Sequence, residues 1–426
     1  MRRHHSYVSL LKCIVCGREY PAVDRLACDI CGPVEGICDV LYDYEGVRRK
    51  MTKKALLSRP QDHWRYRELL PLHPDFPKNW DRSGCVNLRV GWTPICVTRR
   101  LGDYLGCGSL HIKDEGCNPT ASFKDRASSV GVLKALEFGR SVIACASTGN
   151  AASSLAGFAA ASGLPSRIFV PFHAPEPKLT QLLIYGAQVI RIRGSYEQAY
   201  DLCMQACARY GWYNRNCAVN CYLIEGKKTC GLEIGEQMAD HPPDWVAVSV
   251  GDGCTIAGIW KGLKEMHLLG FLPRLPRLLG VQAEGAPAVA RQFEKKEDDA
   301  FIPAPAATLA DSICVSVPRN WRKAVRAVRE SGGQFITVSD KAIIEALKYV
   351  PRLTGVFGEP AAVAAIAGIA AAREKGILGS NDMILAVVTG NGLKDVKTAS
   401  TAAGAPHDIE PTIEALEAVI MNRKTL

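Results

Sequence analysis

From about residue 91 onward, short apolar runs alternate with alanine-rich segments of helical length, and this alternation leaves few architectures open. Ser141-Val142-Ile143-Ala144-Cys145-Ala146 reads as a buried strand. A helix is expected to follow from Asn150 and to stop near Gly163-Leu164-Pro165. Arg167 to Val170 is the next strand, then a helix from Pro177 to Tyr185, a strand from Gln188 to Ile192 and a helix from Tyr196 to Tyr210. The pattern resumes with a strand from Trp245 to Val250, a helix from Ile256 and a strand from Leu278 to Gln282. Pro360 to Lys375 is almost entirely Ala, Ile and Val and must be a buried helix, and Met383 to Val388 is the last strong strand. Ile409 to Ile420 has helical spacing. Strands alternating with helices imply βαβ units and a parallel sheet, so the class is α/β.

The segments before this region differ. Residues 1–48 hold five cysteines, and residues 49–90 are rich in Arg, Lys, Pro and Trp and read as a helical or irregular connector. Cys13-x2-Cys16 and Cys28-x2-Cys31 are separated by 11 residues. Two thiolate pairs on tight turns supply four sulfurs to one tetrahedral zinc ion, and Gly17 and Gly32 after each pair allow the turns. The alternative is four reduced, buried cysteines with no metal. With four thiolates and no open position the zinc is structural, and Cys38 is not assigned as a ligand.

Size and charge set further limits. A chain of 426 residues suits two or three domains, and 47% hydrophobic with 22% charged residues excludes global disorder. The net charge of +9 favours anionic ligands, but the basic residues are scattered, so nucleic acid is not the expected partner. No apolar run reaches the roughly 20 residues that span a bilayer. Met1 to Ser6 is basic without a long apolar stretch behind it, which is not a secretory signal. The 17 cysteines then read as reduced thiols and metal ligands, and the expected compartment is the cytoplasm.

Four segments carry chemistry. In Asn118-Pro119-Thr120-Ala121-Ser122-Phe123-Lys124-Asp125-Arg126, Asn-Pro marks a turn and Ser122 is the expected N-cap. Lys124 then lies in the first turn of a helix, where the dipole favours a neutral amine able to form an imine. From this segment alone, a surface lysine pairing with Asp125 is the simpler reading. Ser147-Thr148-Gly149-Asn150 follows a strand and opens a helix, at the strand end where open α/β sheets bind ligands. Gly251-Asp252-Gly253-Cys254-Thr255 also lies between strand and helix and suits a phosphate cradle, against the alternative of an ordinary turn. Val388-Thr389-Gly390-Asn391-Gly392 ends the last strand with a hydroxyl. An imine-forming lysine, a donor for a phenolic oxygen, a phosphate cup and a partner for a ring nitrogen are what pyridoxal phosphate needs.

On these segments, with Glu225-Gly226-Lys227-Lys228-Thr229, Gly358-Glu359-Pro360-Ala361 and Thr389-Gly390-Asn391-Gly392-Leu393-Lys394-Asp395, the chain resembles the fold type II pyridoxal-phosphate enzymes and, among them, the threonine synthases. The resemblance covers roughly residues 85–400, and the cysteine knuckle is similar to one that some members carry. It implies two open, twisted, mostly parallel sheets with helices on both faces, beside a zinc-ribbon-like module. The expected divisions are residues 1–48 for that module, 49–135 for the connector and first part of a large domain, 136–236 for a small mobile domain and 237–426 for the rest of the large one. The resemblance implies that Lys124 holds the cofactor as a Schiff base and later shuttles protons. Asn150 would bond the phenolic oxygen, Gly251, Asp252, Gly253, Cys254 and Thr255 would hold the phosphate, and Thr389 would face the ring nitrogen. Ser122, Ser147, Thr148 and Lys178 are candidates for substrate binding.

The implied activity is that of a lyase in threonine biosynthesis, converting O-phospho-L-homoserine and water to L-threonine and phosphate, as a homodimer. Alternatives are a serine or threonine dehydratase, a cysteate-synthase-like enzyme acting on phosphoserine, or a zinc-ribbon nucleic-acid binder with an inactive enzyme-like core. A nicotinamide dehydrogenase would need a Gly-x-Gly-x-x-Gly turn, which is absent. Three positions depart from the family's pattern: Ala121 and Ala127 stand where glycine is common, and Ala151 where a small hydroxyl residue is frequent. Glu359 lies either near the cofactor ring or at the start of the helix that Pro360 opens.

Overall fold

The computed structural model describes residues 7–73, 87–174, 176–217, 219–296 and 300–421. Met1 to Ser6, read above as basic, and residues 74–86 of the connector lie outside the described residues. The N-terminal module is a small antiparallel sheet of β1 (Val8–Cys13), β2 (Glu19–Tyr20), β3 (Ala27–Cys28) and β4 (Gly36–Tyr42), in the order β2-β1-β4-β3. Ten further strands follow. They are β5 (Ile95–Val97), β6 (Ser109–Asp114), β7 (Ile143–Ala146), β8 (Ser166–Pro171) and β9 (Gln188–Ile192). The set continues with β10 (Tyr213–Asn214), β11 (Trp245–Ser249), β12 (Arg277–Ala283), β13 (Gln334–Val338) and β14 (Met383–Val388).

They form two sheets. One runs β10-β7-β8-β9 with every neighbour parallel. The other runs β13-β12-β11-β14-β6-β5, parallel except for the edge pair β5 and β6. All five residues of β11 are buried, as an interior parallel strand covered on both faces requires. The helix Pro360–Glu374 is buried nearly all round, and its small side chains let it lie close on this sheet. At Gly368 a Cβ would meet Val281 Cγ2 at 2.3 Å, so even alanine there would push the helix off the strand.

Strands and helices of the alternating region fall within a few residues of their sequence-derived positions. The sequence reading did not single out β5, β6 and β13, or the helices Trp321–Glu330 and Asp340–Thr354. β5 is a three-residue edge strand, too short for a period to show. The connector is more than a linker: Arg65, Tyr66, Glu68 and Leu69 are buried, and Arg65 and Tyr66 both bond Glu236, at 2.7 and 2.6 Å. Among the described residues, no helix is long and apolar enough to cross a membrane.

The helix Lys124–Glu137, which begins at the sequence-predicted lysine, is fixed by charge. Arg126 is fully buried and grips two carboxylates bidentately. Its Nε and Nη2 donate to Glu115 at 2.7 and 2.7 Å, and its Nη1 and Nη2 donate to Glu233 at 2.6 and 2.7 Å. Lys113 adds a second cation 2.9 Å from Glu233, making the group neutral. Burial alone would raise the Glu233 carboxyl, but the charges of Arg126 and Lys113 and the hydrogen bonds from Arg126 and the Trp92 backbone together outweigh it and hold the group at about 2. The N-cap differs by one residue from expectation. Phe123 takes that position, and the Ser122 hydroxyl accepts the Lys124 amide at 3.3 Å.

Removing one member of a buried pair strands the others without compensation. Arg126→Met should therefore destabilise the protein by about 3–5 kcal/mol, read as a lower denaturant midpoint. The Glu233 carboxylate is depressed on folding, so its contribution is present above the unfolded carboxyl range near 4.5 and is lost as pH falls toward 2. The variant's acid unfolding should consequently begin at higher pH than wild type. An unchanged midpoint would show that the cluster does not hold this helix.

Candidate active site

Each strand-end segment found in the sequence arrives at one cavity. The lysine segment is tied to the last strand's end by Phe123 N donating to Thr389 O at 2.9 Å and Asn391 N donating to Ala121 O at 3.0 Å. Ala121 has φ 63°, the left-handed region where glycine is at ease. Its departure from the family's glycine therefore costs backbone strain of about 1 kcal/mol. Glu359 N donates to Gly390 O at 3.0 Å, bringing the Pro360 helix start to the same place.

The cavity is lined by Lys124, Asn150, Ser249, Gly251 to Thr255 and Thr389, with Cys217, Lys227, Ser312 and Glu359. Enclosure in protein, and after it the nearby Lys227 ammonium, hold the Lys124 amine below the ordinary lysine value. Asn150 Nδ2 donates to Glu359 Oε1 at 2.8 Å. Burial raises the Glu359 carboxyl, and its side chain makes no cap bond to the helix it precedes. Of the two readings of Glu359, the structure therefore favours the cavity. The backbone amides of Gly251, Asp252, Gly253, Cys254 and Thr255 find no backbone acceptor among the described residues, and they open the 15-residue helix Cys254–Leu268. Gly253 has φ +90°, and a Cβ there would strike Ala324 Cβ at 2.7 Å, so the turn demands glycine.

Pyridoxal phosphate fits these residues. Five unsatisfied amides at a helix N-terminus form an anion cup. The buried Ser249 hydroxyl at the end of β11 lacks a protein partner. Lys124 and Lys227 both line the same space, and of the two it is the Lys124 amine that is held below the ordinary lysine value.

Other sequence candidates fall differently. Ser147 and Thr148 are half-buried beside Asn150 but do not line the cavity, and the Ser147 hydroxyl accepts the Gly149 amide at 3.2 Å. The Ser122 side chain is fully buried beneath the lysine segment. Lys178 is turned away and pairs with the Asp311 carboxylate. Cys217, Lys227, Ser249 and Ser312 were not identified from sequence. Lys227 stood inside a noted segment, whereas the other three carried no local signal.

Four thiols converge in the N-terminal module. The sulfurs of Cys13, Cys16, Cys28 and Cys31 all lie within 4.8 Å of one another. Cys16 and Cys28 are 3.6 Å apart, and a tetrahedral zinc site separates its sulfurs by about 3.8 Å. The Tyr20 hydroxyl donates to Cys28 at 3.0 Å and brings its thiol down to about 6, which favours the ligating thiolate.

Residues 86–390 match the family described as pyridoxal-phosphate dependent enzyme. The threonine synthase of Methanocaldococcus jannaschii is 37% identical over 412 residues, spanning 96% of this chain and 99% of that one. The threonine synthase of Methanosarcina acetivorans is 35% identical over 414 residues, 97% and 99% of the two chains. Among solved structures, threonine deaminase isoform 2 of Solanum lycopersicum aligns with a TM-score of 0.62 at 22% identity, covering 74% of this chain and 88% of that one. Maize serine racemase aligns with a TM-score of 0.61 at 23% identity, covering 70% and 88%. These two share the fold, while the first two align along nearly the whole length of this chain. The chain belongs to the pyridoxal-phosphate dependent enzymes and, within them, to the threonine synthases.

Proposed function

We propose that this chain converts O-phospho-L-homoserine and water to L-threonine and inorganic phosphate, with Lys124 as the cofactor's covalent anchor. The observation that carries the reading is the convergence of Lys124, the amide cup and Asn150 on one cavity in a chain matched end to end by threonine synthases. Bound pyridoxal phosphate supplies the electron sink that acidifies the substrate's α and β C–H bonds. The chain's residues do the rest. Enclosure, and after it Lys227, hold the Lys124 amine below the ordinary lysine value, which favours its Nζ as the group that takes a proton at the α carbon and moves one at the β carbon. Asn150 and Thr389 line the cavity, where the Asn150 amide would hold the cofactor's ring oxygen and the Thr389 hydroxyl would answer its ring nitrogen. A hydroxyl there cannot stabilise a pyridinium as a carboxylate would, which suits elimination and replacement chemistry.

The substrate carboxylate fits the start of the helix Asn150–Ala161. There the amides of Thr148, Asn150 and Ala151 find no backbone acceptor among the described residues, and the dipole favours an anion. Residues 136–236 act in this reading as a small domain that closes over the substrate. Contacts already reach across: Lys394 Nζ donates to Ser153 Oγ at 3.1 Å and Gln181 Oε1 at 3.0 Å, and Lys178 meets Asp311. The four-cysteine cluster holds a structural zinc in a module packed on the large domain through Tyr42, Lys261 and Lys323. The enzyme works in the cytoplasm as a homodimer.

Borohydride reduction of the yellow holoenzyme should abolish its violet absorbance and leave the pyridoxyl group on Lys124, as read by peptide mapping. A different lysine would remove the site assignment. Activity on phosphohomoserine, phosphoserine, serine and threonine then decides the substrate. Phosphohomoserine should lead in kcat/KM by at least about tenfold, roughly 1.4 kcal/mol. A lead for phosphoserine or threonine would overturn the threonine-synthase reaction and leave fold and cofactor standing. Metal analysis of protein purified without chelators should find about one zinc per chain. Cys31→Ser should release it and lower Tm far more than it lowers kcat, because no ligand lies at the cavity. Metal-free wild type would refute the zinc assignment.

A further inference from the structure

The segment Glu225-Gly226-Lys227-Lys228-Thr229 places two lysines side by side, and the fold sends them in opposite directions. Lys228 lies 2.7 Å from Glu225 and 2.8 Å from Glu265, inside a closed ion cluster. Thr229 accepts from Arg126 at 2.8 Å. Gly226 locks this turn, since a Cβ there would sit 1.9 Å from the Arg126 carbonyl oxygen. With the turn pinned, Lys227 faces the cavity that Lys124 lines.

Lys227 is 1% exposed. Its ammonium has three hydrogens to donate, and among the described residues its one hydrogen-bond partner is the Cys217 sulfur at 2.9 Å. Beside it, Arg215 is also 1% exposed, with Nη1 3.8 Å from the same sulfur and Nε and Nη2 on the Ser128 hydroxyl. Neither cation forms an ion pair with a carboxylate among the described residues. Three other fully buried cations among the described residues are neutralised: Arg126 with two glutamates, Lys113 with one, Lys228 with two. Two buried cations with one sulfur and one hydroxyl between them, and no carboxylate paired to either, form a corner where an oxyanion is favoured. The amide cup at Gly251 to Thr255 lines the same cavity, with Cys254 packed on Cys217, and offers backbone donors for one phosphate of its own.

We propose that Lys227, supported by Arg215, is a second oxyanion site in the cavity, which takes the substrate's phosphate group and the inorganic phosphate released from it. The inference rests on the phosphohomoserine reading for its biological ligand, but the site itself answers to inorganic phosphate alone. Cys217 is the placeholder that keeps Lys227 partnered when the oxyanion is absent.

The test titrates holoenzyme with inorganic phosphate by calorimetry and measures pyridoxal-phosphate affinity on the same preparations. Lys227→Gln should weaken phosphate binding at least about tenfold and raise KM for phosphohomoserine while the cofactor stays bound. Lys227→Arg keeps the charge and should stay within about threefold of wild type. Phosphate binding unchanged in Lys227→Gln, or absent in wild type, overturns the proposal. Loss of cofactor affinity in Lys227→Gln overturns it too, by assigning the cation to the cofactor's phosphate or to folding. Phosphate binding that depends on Lys227, in an enzyme inert toward phosphohomoserine, supports the site and sinks the reaction assigned above.

Discussion

The Arg126 guanidinium, held between Glu115 and Glu233, is the interaction on which the active site depends. It joins the end of β6 and the start of the Lys124 helix, 11 residues apart, to the helix Thr229–Gln237, 107 residues away at Glu233. Asn118 extends the grip, donating to Glu115 at 2.9 Å while accepting the Gly91 amide at 2.9 Å. Lys124 sits two residues before Arg126, so a fixed guanidinium fixes where the reactive amine emerges. The bidentate geometry matters because a lysine could meet one carboxylate well but not two forks at once. The arrangement favours precision over net stabilisation, since the desolvation of four charges offsets much of their attraction.

A second buried ion group does for the N-terminal module what the first does for the lysine. Glu225, Glu265, Lys228 and Lys261 form it, and the Tyr42 hydroxyl donates into it at 2.8 Å. Lys261 also donates to the Val40 carbonyl at 2.6 Å. The helix Tyr222–Lys227 thus looks three ways. Glu225 faces the cysteine module, Gly226 lies against Arg126, and Lys227 faces the cavity. One short segment carries the coupling between a module with no catalytic residue and the catalytic lysine.

The alternating part of the fold was legible because buried parallel strands have to be continuously apolar and the helices between them keep their own period. Strand ends with Ser, Thr, Asn and Gly stood out against those runs, so Asn150, Thr389 and the amide cup were found. What could not be read was direction. Lys178 and Lys227 are both lysines on helices, yet one pairs with Asp311 outside the cavity and the other points into it. The difference lies in the packing of Gly226 on Arg126, a contact about 100 residues apart in sequence that no local period reports. Cys217 had no signal at all. It belongs to an irregular loop, and its meaning comes only from Lys227 and Cys254 beside it.

The charges around the cavity also explain why a lysine can be reactive there. Lys124 shares the space with Lys227, and Arg215 lies nearby, while Glu359 and Asp252 are carboxyls that burial drives toward protonation. Cys217 answers the cations: a hydrogen bond from Cys254, then the charges of Lys227 and Arg215, hold its thiol well below the usual range. Against its burial, Lys227 is raised by the charges of Cys217 and Cys254, whereas Lys124 is lowered by enclosure first and by Lys227 after it. A cavity rich in positive groups thus does two things with one arrangement. It holds the Lys124 amine below the ordinary lysine value, and it favours the anionic groups that cofactor and substrate both carry.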